Sequence, residues 1–268
     1  MVDVTAEKDA FAERYYFLVR RLHSLTGIVP VGVFLCIHLS VNASIIAGPG
    51  AFQFAVDQIH NLSKLGILQT VEVLFIILPI AFHAVVGILI WLTSKPNVMA
   101  YQYCGNARYL LQRWTGLIAL MFILVHLWHI HWIIPGGTEF DAHRAAASAA
   151  EALDRSWTSP VYAVGIVCTV YHLANGIWTF LIVWGITITP KAQARSAYFC
   201  AAIGIILLLL GLGSLRTFRT MDRSKLAPPA VFERHAVRDG GGTDAREAFV
   251  PPSASRPSTV GSLLKGSS

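Results

Sequence analysis

Five apolar blocks dominate this chain and restrict what it can fold into. They run over about 22–47, 66–93, 109–134, 159–188 and 196–216, and each is long enough to cross a bilayer as a helix of roughly 20 residues. A soluble protein with buried helices would show polar residues recurring at helical period, and these blocks have no such face. Charged residues make up 13% of the sequence, against about 25% in ordinary soluble domains, and the mean hydropathy is +0.56. The expected fold is all-α, an integral membrane bundle of five transmembrane helices in a lipid bilayer.

The flanks set the expected organisation. Residues 1–21 form a cytoplasmic N-terminal segment, 22–220 the membrane domain and 221–268 a tail. Block one follows Glu13, Arg14, Arg20 and Arg21, runs past 20 residues and lacks a small-residue cleavage site, which argues against a signal peptide. The net charge of +6 speaks to orientation and not to a nucleic-acid partner. Lys8, Arg14, Arg20, Arg21, Lys95, Arg108, Arg113, Lys191 and Arg195 lie on one side, and only Lys64, Arg144 and Arg155 on the other. Nine against three places the N-terminus in the cytoplasm and, after five crossings, the C-terminus outside. Residues 216–265 nevertheless carry nine further Lys/Arg. The tail's "LAPPA", "DGGGT" and "VPPSASRPS" read as disordered. Of four cysteines, Cys36, Cys168 and Cys200 sit inside apolar blocks, where a small hydrophobic role is the default, and Cys104 outside them.

Ionisable residues inside a membrane are costly and point to function. Of ten histidines, His60 and His143 fall in outer loops, His235 in the tail, and His23 at the start of helix one. The other six are His38, His83, His126, His129, His131 and His172. At a rise of 1.5 Å per residue, His38 and His126 lie about 16 and about 17 residues along outward-running helices, toward the outer side. His83 and His172 lie about 17 and about 13 residues along inward-running helices, at the inner and mid-to-inner level. Two histidines on facing helices at one depth can clamp one haem iron, and two stacked pairs make two haems enclosed by four of the five helices. The competing reading is that each histidine is an interhelical hydrogen-bonding group.

An internal repeat pairs the same helices. "TGIVPVGVFLCIHL" in helix one resembles "TGLIALMFILVHLW" in helix three, and "FHAVVGIL" in helix two resembles "YHLANGIW" in helix four. In the second pair a glycine, Gly87 or Gly176, follows the histidine by one turn on the same face, leaving room for a flat macrocycle or for close helix packing. His129, three residues beyond His126, is the rival ligand. The HxxHxH set does not share one face, so a zinc site is disfavoured, and His131 falls at the outer interface between Trp128 and Trp132.

On these residues the chain resembles a known family. "YYFLVRRLHSLTGIVPVGVFLCIHLSVN", "LPIAFHAVVGI", "LQRWTGLIALMFILVHLW" and "YHLANGIWTFLIVWGITITP" are similar to the dihaem cytochrome b anchor of succinate:quinone oxidoreductases, in the class with a single five-helix anchor polypeptide. The resemblance covers about 14–220. It implies two haem b groups, with His38 and His126 as axial ligands of the outer one and His83 and His172 of the inner one. It also implies a flavoprotein subunit and an iron–sulfur subunit on the cytoplasmic face, and a quinone, here menaquinone, as electron acceptor. Electrons would pass from succinate through the partner subunits to the inner haem, the outer haem and quinone, with no catalytic acid or base for dicarboxylate chemistry on this chain.

Further residues follow from position. Arg20, Arg21, His23 and Ser24 at the inner start of helix one, and Arg113 at that of helix three, are candidates for haem propionates, against an ordinary positive-inside anchor. Glu72, eleven residues before His83, would share its face of a regular helix near the outer haem and could pass protons to quinone. Asn42, one turn beyond His38, and His129 are the other quinone candidates. Rival readings are a haem-free anchor, a transporter, a dihaem cytochrome of a hydrogenase or formate dehydrogenase, and a quinol:fumarate reductase.

Overall fold

The five blocks fold as five helical spans, Tyr15–Ala47, Ile67–Thr93, Cys104–Ile130, Thr158–Val183 and Pro190–Thr220. The structure, a computed structural model, describes residues 4–64, 66–93, 98–100, 102–131, 140–222 and 226. All regular structure among them is helical. Large apolar side chains such as Val33, Ile37, Phe75, Leu89, Met121 and Leu209 are exposed on the outside of the bundle. Water would penalise that surface, and lipid accepts it. The chain is an integral membrane bundle. The tail expected from 221 lies outside the described residues except for Met221, Asp222 and Leu226.

Hydropathy marks where a helix is apolar, not where it begins. The first helix starts at Val4 and runs to Ile28, across the boundary expected at 21/22. Pro30, which has no N–H to donate, then divides it from Pro30–Ala43. The fifth span starts at Pro190, where Thr189 accepts the N–H of Ala192 at 3.2 Å and proline takes the first helical position. The third span packs along the fourth, the fourth along the fifth, and the first along the second.

Two segments read as outer loops are helical and form a cap on one end of the bundle. Pro49–Lys64 buries Phe52 and Val56, one turn apart, and carries His60. Ala145–Ala152 is almost wholly buried, because its small side chains let it lie flat on its neighbours. Gln53 ties the two, its Nε2 donating to the Ala142 carbonyl at 2.7 Å and its Oε1 accepting the Ala145 N–H at 3.0 Å. A buried cluster of Ile45, Phe52, Val56, Ala149, Tyr162, Leu215 and Phe218 joins cap to bundle. At the other end, the spans open around a cavity.

Candidate cofactor site

The two histidine levels sit at these two ends. At the cavity end, His83 of the second span faces His172 of the fourth, with ring centres 6.1 Å apart and planes at 86°. His83 Nδ1 is 2.8 Å from the main-chain carbonyl of His23, and His172 Nδ1 is 2.9 Å from that of Gln112. A carbonyl only accepts, so both Nδ1 atoms carry the proton and both Nε2 atoms keep a lone pair. Metal-bound imidazoles adopt this tautomer, with the second nitrogen held by an outer partner. Each carbonyl lies 60 residues before its histidine.

One turn after each carbonyl stands a glycine. A Cβ on Gly27 would overlap the ring of His83, and one on Gly116 would stand 2.6 Å from His172 Cε1. The Thr26-Gly27 and Thr115-Gly116 pairs that open the sequence repeat are therefore the seats of histidines arriving from the neighbouring helices. Gly87 and Gly176 lie opposite, where a Cβ would be 3.3 Å from His23 and 3.4 Å from Gln112.

Beside this pair lies a cavity of about 1050 Å³, at the upper end of the usual range for ligand clefts. Its wall contains Arg20, Arg21, His23, Ser24, Gly87, Arg113 and Gly176, together with Arg108, and among the described residues no acidic one. The guanidinium groups rest on aromatic rings: Arg20 over Tyr16, Arg21 between Phe17 and Trp184, Arg108 over Trp178 at 3.6 Å, and Arg113 over Tyr109 at 4.0 Å. Four cations in an otherwise largely apolar wall suit an apolar ligand with anionic substituents. The ring of His23 stacks on that of His83 at 4.0 Å, and Ser24 Oγ donates to the Arg21 carbonyl and accepts from Trp184 Nε1.

At the cap end, the rings of His38 and His126 are 5.8 Å apart, with planes at 79°. Asn42 donates to the His38 carbonyl at 2.8 Å and lies 3.4 Å from His38 Nε2. The Tyr162 hydroxyl bridges Nδ1 of His126, at 3.3 Å, and Nδ1 of His129, at 2.9 Å. His129 is wholly buried, and its Nε2 has no hydrogen-bond partner among the described residues. It lies in a π-helical stretch, Leu127–His131, and the side chain of His131 is outside the described residues. Glu72 opens a second π-helical stretch, Glu72–Ile77, that packs against Pro30–Ala43, the helix of His38 and Asn42. Because this stretch separates Glu72 from His83, the face they would share on a regular helix does not follow from their spacing.

Two imidazoles on opposite sides of one metal, each nitrogen at about 2 Å, have ring centres about 6 Å apart. Both pairs meet that spacing. Among the described residues, no three His, Cys, Asp or Glu side chains converge as a metal site. The two facing pairs supply two imidazoles each, the number needed by a macrocycle that brings four nitrogens of its own.

Residues 95–211 match the family described as succinate dehydrogenase/fumarate reductase transmembrane subunit. Over 204 residues the chain is 38% identical to the succinate dehydrogenase cytochrome b558 subunit of Bacillus subtilis (strain 168), a match covering 75% of this chain and 96% of that relative. The chain belongs to this family. As a membrane cytochrome b subunit of the succinate dehydrogenase/fumarate reductase family, it is a haem b protein of the membrane.

In this cytochrome b subunit, sequence reasoning missed two sets of residues. One is Tyr162. The other is a polar network in the wall of the cavity. Gln112 Nε2 donates to the His172 carbonyl at 3.0 Å, Asn175 Nδ2 to Gln112 Oε1 at 2.8 Å, and Arg108 Nε to Asn175 Oδ1 at 2.9 Å. The available signal was the presence of Gln112 and Asn175 in apolar blocks, one turn before Gly116 and one turn after His172, where an amide needs a partner.

Proposed function

We propose that this chain anchors a succinate:quinone oxidoreductase and connects its iron–sulfur subunit to menaquinone through two b haems. His83 and His172 hold one and His38 and His126 the other. The observation that carries this is the arrangement of two imidazole pairs, 5.8 and 6.1 Å between ring centres, at two levels among the first four spans. The haems supply one-electron transfer along the bilayer normal. The chain fixes the cavity-end imidazoles through main-chain carbonyls, neutralises anionic haem substituents with Arg20, Arg21, Arg108 and Arg113, and keeps water out with its apolar spans. The cavity end faces the iron–sulfur and flavoprotein subunits, where succinate is oxidised. By the charge balance of the loops this end is cytoplasmic.

Quinone is assigned to the cap end, with Asn42, Glu72 and His129. In the arrangement where His126 ligates through Nε2, its Nδ1–H points to the Tyr162 oxygen at 3.3 Å. The single hydroxyl proton then goes to His129 Nδ1. His129 is left with a buried Nε2–H donor, and a quinone carbonyl is an acceptor of the matching kind. Glu72 serves proton exchange with the quinone. Moving one electron across the membrane is worth about 2.3 kcal/mol per 100 mV, so this placement links quinone chemistry to the membrane potential. Pyridine haemochrome quantification and a redox titration of the purified complex test the reading. Two low-spin b haems per chain at distinct potentials are expected, and one or none overturns it.

A further inference from the structure

Both halves of the internal repeat open on the same dipeptide, Thr-Gly, and the glycine accounts for only half of it. Thr26 Oγ1 donates to the His23 carbonyl at 3.0 Å. Thr115 Oγ1 donates to the Leu111 carbonyl at 2.7 Å and, more weakly, to that of Gln112 at 3.3 Å. The His23 and Gln112 oxygens are those that receive the Nδ1–H of His83 and His172. Inside a helix, each also accepts the N–H of the residue four positions on, which is the seat glycine itself. A carbonyl oxygen has two lone pairs, so three donors compete for it. The threonine hydroxyl therefore takes strength from the imidazole's bond.

We propose that Thr26 and Thr115 are positioning residues that set the strength of the Nδ1–H bonds of His83 and His172, and through them the reduction potential of the haem this pair holds. The inference rests on the bis-histidine reading above. A strong Nδ1–H bond makes an imidazole a more basic ligand and favours ferric iron. A hydroxyl sharing the acceptor weakens that bond and holds the potential up. The two sites are unequal: Thr26 commits its hydroxyl to the shared oxygen, while Thr115 spends most of its own on Leu111. Thr26 is the stronger lever.

The test uses the whole complex with Thr26→Val, Thr115→Val, Thr26→Ser and Thr115→Ser, each titrated optically and by the low-spin electron paramagnetic resonance signal of each haem. In Thr26→Val the ferric-to-ferrous ratio of the cavity-end haem at fixed ambient potential should rise about threefold, a fall of about 30 mV at 59 mV per tenfold for one electron. Thr115→Val should move it less, the cap-end haem should stay put, and the serine variants should titrate as wild type. Valine variants that keep both haems at unshifted potentials overturn the proposal, and so does an equal shift in both haems. If a valine variant loses the cavity-end haem, native content and potential in the matching serine variant support the hydroxyl's role, and loss there too overturns it. A wild-type complex with fewer than two haems would instead sink the bis-histidine reading, so the two failures look different.

Discussion

His83 and His172 are fixed by main-chain carbonyls and seated on glycines, whereas His126 and His38 meet side chains, the Tyr162 hydroxyl and the Asn42 amide. The ring spacings differ by little, so the contrast lies in what holds the rings. A main-chain acceptor in a helix cannot rotate away, and it fixes an imidazole for as long as the helix stands. A side-chain hydroxyl or amide can rotate to another partner. The cap end also carries both π-helical stretches of the bundle's described residues, a departure from regular helix that recurs at functional sites. The cavity-end imidazoles are held by partners that do not move. The cap end adds adjustable polar groups, which on the proposed reading serve an exchanging quinone beside the haem.

The strongest way to break this contrast is to fill a seat. Gly27→Val and Gly116→Val place side-chain atoms where the His83 and His172 rings lie, so each ring must leave the carbonyl that holds it. Haem content should fall from two to one per complex, with the cap-end haem retained and quinone-linked succinate oxidation abolished. Loss of both haems, or of the cap-end one alone, would show that the levels are not separately built. Of similar size, His126→Gln should remove the cap-end haem only, while His129→Gln should leave both haems and lower quinone turnover. Haemochrome counts on the two variants separate ligand from neighbour.

These expectations show where sequence was legible. Block length gave five spans, and helical rise sorted His38 with His126 and His83 with His172, because both depend on one helix at a time. The Thr-Gly repeat was visible, but its use was not, since the ring each glycine receives comes from a helix 60 residues away from the paired carbonyl. The cap helix Ala145–Ala152 escaped because alanine carries little hydropathy and no periodic face, and its burial is decided by Pro49–Lys64 across the bundle end. The π-helical stretches escaped because every face argument assumed a regular period, which is why the relation of Glu72 to His83 could not be read from eleven residues of spacing.

A smaller effect probes how the cap-end histidines are held. Tyr162→Phe removes the hydroxyl shared by His126 and His129 and leaves a wholly buried imidazole with neither nitrogen satisfied. The cost should be about 1–3 kcal/mol, the penalty of an unpaired buried polar group. Denaturation of the detergent-solubilised complex, followed through each haem's own absorbance, should show the cap-end haem lost earlier and the cavity-end haem unmoved. A common shift of both would mean that Tyr162 supports the bundle as a whole.

The smallest effect concerns the cap itself. Gln53 spends both ends of its amide on the start of the alanine helix, donating to the Ala142 carbonyl and accepting the N–H of the wholly buried Ala145. Gln53→Ala removes both bonds at once, and a helix N-terminus has few other partners for its first N–H groups. Each bond contributes about 0.5–1.5 kcal/mol net, so the cap should loosen by about 1–3 kcal/mol while the helices of the spans stay formed. Amide exchange should accelerate across Ala145–Ala152, the cap-end haem should titrate with a small shift, and the cavity-end haem with none. The asymmetry of the readout carries the argument: His83 and His172 are held by carbonyls of the first and third spans, and nothing in that set reaches the cap. A cavity-end haem that responded to Gln53 would show that the two levels share one scaffold.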